Sequence, residues 1–149
     1  MAAAQPRIQT EATRTMGHRA ERDILFVRHR ELAPTDRDWQ AMLDDLGERL
    51  RPGGLYRILV RTDNAGPNSL QRNAINQLAT SKRATLRVAV MSTSRLVRGI
   101  VTAFSWMGTL QIRSFGDADL AGAIAYLGLD DVSAMSAARM FSEIERDVG

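Results

Sequence analysis

With 149 residues, of which 44% are hydrophobic and 25% charged, the chain fits one globular domain with a buried core. It has no cysteine, which excludes disulfides, zinc–thiolate sites and thiol catalysis. The net charge of +3 arises from 20 basic and 17 acidic residues, and the basic residues are scattered along the chain. A nucleic-acid-binding protein needs a concentrated basic face or an aromatic stacking platform, so we expect no nucleic-acid partner.

The N-terminal residues 1–20 contain few large apolar residues and no periodic pattern, which predicts a flexible tail. We expect residues 21–149 to form a single domain. No apolar run has the length of a signal peptide or of a membrane span, so we expect a cytoplasmic protein.

Strands and helices alternate after the tail. The apolar runs that predict strands lie at residues 24–30, 56–62, 86–91 and 110–113. An amphipathic segment follows each run, and these segments predict helices that begin near Thr35, Gly66, Ser92 and Asp117. A last helix is predicted at residues 131–148. This alternation predicts an α/β fold, with a mostly parallel sheet covered by helices and an extra C-terminal helix.

The spacing of apolar residues predicts the buried face of each helix. In the first helix this face consists of Trp39, Met42, Leu43, Leu46 and Leu50. In the second helix, with Gly66 as N-cap and Pro67 as first residue, it consists of Leu70, Ala74, Ile75 and Leu78. In the third helix it consists of Leu96, Ile100, Ala103, Phe104 and Met107.

Ligands of such sheets bind at the carboxyl ends of the strands, where segments 30–35, 63–69 and 92–95 would meet. Two of these segments present helix starts whose free backbone N–H groups could bind an anion. The polar residues available there are Asp63, Asn64, Ser69, Ser92, Ser94, Arg95 and Arg98. Capping and turn formation explain the hydroxyl, amide and carboxyl groups more simply.

No signature of catalysis or of a cofactor is present. The loop after the second strand lacks the pattern of a phosphate-binding loop, and no Gly-x-Gly-x-x-Gly follows the first strand. His18 falls in the predicted tail, and His29 lies on a strand, where we expect it to be hydrogen bonded. An enzyme using Asp63 with Ser69 or Ser92 would lack a histidine base. We therefore expect a non-enzymatic protein without a metal or cofactor.

Two stretches carry a resemblance to a known group of domains. The segment RVAVMSTSRLVRGIVTAFSWM, at residues 87–107, joins a short buried strand to a Ser/Thr turn and an arginine-bearing helix. The segment IRSFGDADLAGAIAYLGL, at residues 112–129, joins a strand ending in Phe to an alanine-rich helix ending in Leu-Gly. Over residues 22–129 the chain resembles the STAS-like bacterial domains, relatives of sporulation anti-sigma-factor antagonists.

The resemblance implies a four- or five-stranded sheet and a regulatory role, in which the domain docks a protein partner such as a regulator or a kinase-like protein. In anti-sigma-factor antagonists a serine at the start of the second helix is phosphorylated by a partner kinase. The matching residue is Ser69, where this chain reads Gly-Pro-Asn-Ser and the family reads Asp-Ser-Ser-Gly. The predicted docking face lies around Ser69, at the start of the second helix, and the neighbouring helix.

Two further predictions concern surfaces. Arg98, Gly99, Thr102 and Trp106 form an outer line on the third helix that a partner could contact. The last helix would act either as a lid on the fold or as an interface of a homodimer. The alternative function is the binding of a small anion, nucleotide or lipid by the loops at the strand carboxyl ends.

Overall fold

The computed structural model describes residues 16–21, 24–29, 32–63, 65–105, 110–129 and 139–146. The five strands are β1 (Met16–Glu21), β2 (Ile24–His29), β3 (Leu55–Thr62), β4 (Thr85–Met91) and β5 (Leu110–Phe115). Four helices are α1 (Asp36–Arg49), α2 (Ser69–Ser81), α3 (Arg95–Ser105) and α4 (Leu120–Leu127). Residues 139–146 are also helical and are called α5.

The five strands form one sheet in the order β1-β2-β3-β4-β5. β1 pairs with β2 in antiparallel fashion, and β2 to β5 are parallel. Because the strand order follows the chain and parallel crossovers are right-handed, α1, α2 and α3 must cover the same face of the sheet. The predicted α/β class, with a mostly parallel sheet, is confirmed.

Each face of the sheet carries its own apolar core, since side chains alternate along a strand. On the first face, Val27, Ile58 and Val88 pack with residues of α1, α2 and α3. On the second face, Phe26 and Leu59 pack with residues of α4 and α5. Burial on both faces explains why the central strands are almost continuously apolar in sequence.

The N-terminal tail is shorter than the sequence predicts. Residues 16–20 belong to β1, whose six residues pair with β2 from Met16↔His29 to Glu21↔Ile24. Met16 is buried, and His18 lies near Asp45 of α1, with 3.4 Å between His18 Nε2 and Asp45 Oδ2. A short polar edge strand has no hydrophobic period, which is why the sequence pattern missed it. Residues 1–15 lie outside the described residues.

The buried faces of α2 and α3 differ from prediction, whereas that of α1 is confirmed. In α2 the buried residues are Gln71, Ile75 and Ala79, and in α3 they include Val97 and Val101. Leu70 and Leu96, predicted to face the core, are 77% and 63% exposed. Ala103 is also exposed, the side chain of Phe104 is not described, and Met107 lies outside the described residues.

The starts of two helices also differ from prediction. Asn68, rather than Gly66, is the N-cap of α2, and its side chain accepts a hydrogen bond from the Gln71 backbone N–H. Asp119, rather than Asp117, caps α4. Asp117 instead binds Arg61, with Arg61 Nε 3.2 Å from its Oδ1. The predicted Thr35 cap of α1 is confirmed.

The described part of the C-terminal helix covers the second face of the sheet. Its Met140, Phe141 and Ile144 are buried, and the Phe141 ring meets Phe26 edge-on with 6.0 Å between the ring centroids. Within residues 139–146 the helix therefore acts as a lid on the fold. Residues 131–138 and 147–148 of the predicted helix lie outside the described residues.

Candidate binding surface at the carboxyl ends of the strands

The carboxyl ends of the parallel strands lie along one edge of the sheet, as predicted. His29, Thr62, Met91 and Phe115 are the last residues of β2 to β5. The connections to α1, α2 and α3 leave from this edge, so the starts of these three helices are close to one another.

A buried glutamine joins the starts of α1 and α2. The Gln71 amide nitrogen donates to the Pro34 carbonyl at 2.9 Å and to Asp36 Oδ1 at 3.1 Å. Its Oε1 accepts from the Asn68 backbone N–H at 2.9 Å, completing a capping box. The Gln71 carbonyl accepts from the Trp39 indole at 3.0 Å. Sequence reasoning missed Gln71, although the Asn-x-x-Gln spacing was a signal for it.

Ser69 is exposed at the first position of α2, and Leu70 follows it. The Asn68 and Gln71 side chains each accept a hydrogen bond from the other residue's backbone N–H, so this helix start is capped without any bond from the Ser69 hydroxyl. The predicted regulatory residue is therefore accessible, at a capped helix start beside an exposed leucine.

The serines after β4 serve the turn into α3. The Ser92 hydroxyl donates to the Asp63 carbonyl and accepts from the Ser94 backbone N–H, both at 3.1 Å. The Ser94 hydroxyl accepts from the Val97 backbone N–H at 3.4 Å. Ser92 is only 4% exposed. These two predicted site residues are thus engaged in holding the β3 and β4 loops together.

The start of α3 carries exposed basic and apolar groups. Arg95, Leu96 and Arg98 are exposed, and its first turn has no acidic residue. Positive charge at a helix N-terminus opposes the helix dipole, so these arginines do not serve the stability of α3. Of the other predicted site residues, Trp106 and Asn64 lie outside the described residues.

Asp63 has a partner that the sequence did not suggest. Arg28 of β2, whose side chain is 8% exposed, donates from Nη2 to Asp63 Oδ1 at 2.9 Å and from Nε to Glu145 Oε1 of α5 at 2.7 Å. Its Nη1 also donates to the His29 carbonyl. Burial lowers the pKa of Arg28, but the hydrogen bonds and charges of Glu145 and Asp63 outweigh it, and the net pKa is raised. Asp63 is therefore a structural counter-ion.

His29, the next residue along β2, is the opposite case. It is buried, and burial together with the nearby Arg28 charge lowers its pKa to about 4. Its ring lies beside Trp39, with 6.3 Å between centroids. Within the described part of the chain, His29 Nδ1 has no hydrogen-bond partner. The prediction of a hydrogen-bonded strand histidine is thus wrong for this nitrogen.

Neither a metal site nor a membrane-spanning helix is found in the described part of the chain. No group of three or more histidine or acidic residues there is arranged to hold a metal ion. None of the helices in the described ranges is both long and apolar enough to cross a membrane.

Comparison with known proteins adds little about the site. No family model and no curated protein matches the chain. Among solved structures it is similar to an uncharacterized protein of the DUF3478 family with a SpoIIAA-like fold, from Shewanella loihica PV-4. The two share 18% identity over 76% of this chain and 92% of that chain, with a TM-score of 0.47. A similarity this low carries no argument about the fold or the function of this chain.

Proposed function

We propose that this protein is a non-enzymatic regulatory domain that binds a protein partner through a docking surface formed by Ser69, Leu70, Arg95, Leu96 and Arg98. The observation that carries the proposal is the exposure of Leu70 and Leu96. Each is the second residue of its helix, and the two helices begin at the ends of the neighbouring strands β3 and β4. Single exposed apolar residues are ordinary, whereas exposed apolar residues that form one patch mark interaction surfaces, and we propose that Leu70 and Leu96 form such a patch.

The charge of the docking surface indicates the partner's chemistry. Arg95 and Arg98 flank Leu96, at a helix start where arginine is unfavourable for the helix itself. A local rule that is broken without a structural gain often marks a functional residue. We therefore expect a partner that presents acidic groups around an apolar centre.

Ser69 would control this interaction. A phosphate on its exposed hydroxyl would add about 1.5 to 2 negative charges to the docking surface. It would be tolerated at the start of α2, where the helix dipole favours negative charge. The same charge would oppose an acidic partner, so phosphorylation would release it.

The alternative, an anion site formed by the loops at the strand ends, has less support. The hydroxyl groups of Ser92 and Ser94 are hydrogen bonded to backbone groups of the loop and the helix start. The Asp63 carboxylate is paired with Arg28. Arg95 and Arg98 remain for an anion, but both lie on the open surface of α3.

The test starts by recovering a partner from the native host with the immobilised protein, followed by titration of the purified partner. We expect Ser69→Glu and Leu96→Ser each to weaken binding by about tenfold or more, the effect of a central interface residue. Ser81→Glu is the matched control, because Ser81 is an exposed serine at the other end of α2. It should bind like the unmodified protein.

Equal binding by Ser69→Glu, Leu96→Ser and the Ser81→Glu control would refute the docking surface. Sedimentation of the protein alone shows whether the partner is a second copy. In that case the dimer should dissociate in the Leu96→Ser variant.

A further inference from the structure

A cavity of about 60 Å³ lies between the first face of the sheet and α1, α2 and α3. Measured in the same way, one water needs roughly 10–15 Å³, so the space exceeds that of a single water several times over. Its walls are mainly valine and isoleucine from β2 to β5 and from α3, together with the loop Ala65–Pro67. Water requires two to four polar partners, which these walls do not supply.

Three side chains that line this cavity carry a polar group, and two of them are already engaged. The Trp39 indole donates to the Gln71 carbonyl, and the Thr62 hydroxyl donates to the Ala65 carbonyl. The third is His29, which is 3% exposed and whose Nδ1 has no partner among the described residues. A buried polar atom without a hydrogen bond is costly, and a ligand that supplies one is correspondingly favoured.

We propose that this cavity binds a small, uncharged, mainly apolar molecule with one hydroxyl group, which hydrogen bonds to His29 Nδ1. A neutral imidazole nitrogen is a donor in one tautomer and an acceptor in the other. A hydroxyl group can pair with either, whereas a carboxylate or phosphate would enter a space without a counter-charge. The Arg28 guanidinium cannot supply it, because it is occupied by Asp63 and Glu145.

The loop Ala65–Pro67 forms the wall next to α3. A Cβ atom added at Gly66 would lie 3.1 Å from Ile100 Cδ1, so the glycine allows the loop to approach α3 closely. Both residues line the cavity. Movement of the Ile100 side chain away from Gly66 would open this wall without displacing a helix.

Ethanol and propane are matched probes of a size suited to a cavity of about 60 Å³, because they differ by a hydroxyl group in place of a methyl group. Their binding to the full chain is measured from the valine and isoleucine methyl signals in ¹H–¹³C NMR spectra. The measured quantity is the ratio of the affinity for ethanol to the affinity for propane. In His29→Leu the hydroxyl group would be buried without a partner, so we expect this ratio to fall by about tenfold or more, while propane should bind as before.

Two core variants locate the site. Val101→Phe fills the cavity and should abolish ethanol binding, whereas Ile124→Phe in the opposite core should leave it unchanged. If Val101→Phe does not fold, contacts between ethanol protons and the Val90 and Val97 methyl groups of the unmodified protein decide instead. No binding of either probe, an unchanged affinity ratio in His29→Leu, or ethanol contacts elsewhere would overturn the proposal. The docking surface would be unaffected, since its residues do not line the cavity.

Discussion

Arg28 and His29 are consecutive residues of one strand, and their side chains lie on opposite faces of the sheet with opposite degrees of pairing. Arg28 faces α5 and has a carboxylate on each side, from Asp63 and Glu145. His29 faces α1 to α3, beside a cavity, and keeps one nitrogen without a partner. A fully paired buried charge is part of the scaffold. An unpaired buried polar atom next to a cavity indicates a place where a bound ligand could form a hydrogen bond.

The largest expected difference between the faces is in the dependence of stability on pH. His29 is neutral when folded down to about pH 4, whereas in the unfolded chain it takes up a proton below about pH 6.5. The unfolded state therefore binds more protons between these values, and stability falls as the pH drops from 6.5 to 4. The total is roughly 3 kcal/mol. Urea denaturation at several pH values, compared with His29→Phe, measures it, because the carboxylates titrate alike in both proteins.

The pairing of Arg28 on the α5 side of the sheet is tested by removing its two acidic partners. Asp63→Asn combined with Glu145→Gln should lower the free energy of unfolding by about 2 kcal/mol. This is below the usual loss for a fully buried pair, because both carboxylates are about 40% exposed. Asp117→Asn, which breaks the exposed Arg61–Asp117 pair, is the control and should cost less than about 1 kcal/mol. Equal losses of unfolding free energy in the double variant and in Asp117→Asn would show that the Arg28 pairs contribute no more than an exposed pair.

The cost of the unpaired His29 Nδ1 on the other face is tested at neutral pH by the same His29→Phe variant. The substitution removes an unsatisfied polar atom, and the cavity can take the different ring. We therefore expect stabilisation by about 1 kcal/mol, measured by urea denaturation at pH 7.5. A loss of more than that amount would mean that the His29 ring makes a favourable polar contact in the folded protein.

The smallest effect concerns the helix start that carries the docking surface. Asn68→Ala removes the N-cap of α2 and should cost about 1 kcal/mol in thermal or urea unfolding. Ser69→Ala, one residue further, should leave stability nearly unchanged. A large loss in Ser69→Ala would show that the serine has a structural role and would weaken its assignment as a regulatory residue.

The strand–helix order was predictable because long apolar and amphipathic runs identify these elements without tertiary information. Which side of α3 faces the sheet was not predictable. Both Leu96 with Ile100 and Val97 with Val101 have the spacing of a buried stripe, so only packing on the sheet could choose between them. Leu96 was assigned to the core for that reason. Leu70 was assigned to the core because the apolar pattern favoured it over its polar neighbour Gln71, which is the buried residue.

The residues of the candidate site were predictable in part. Ser69, Arg95 and Arg98 were expected at the strand carboxyl ends because parallel topology brings those segments together. The Arg28–Glu145 pair joins residues 117 positions apart, and no local pattern could indicate it. The free nitrogen of His29 depends on what surrounds the ring in three dimensions, which the sequence of β2 does not contain.

The state of the His29 imidazole is the most direct test of the contrast between the two faces. Long-range ¹H–¹⁵N NMR spectra report the protonation of both ring nitrogens, and a His18→Asn variant assigns the signals of the two histidines. We predict that His29 remains neutral from pH 7.5 to pH 5.5 in the folded protein. A protonated His29 ring at pH 6 would contradict a buried, uncharged histidine beside the cavity whose Nδ1 has no hydrogen-bond partner among the described residues.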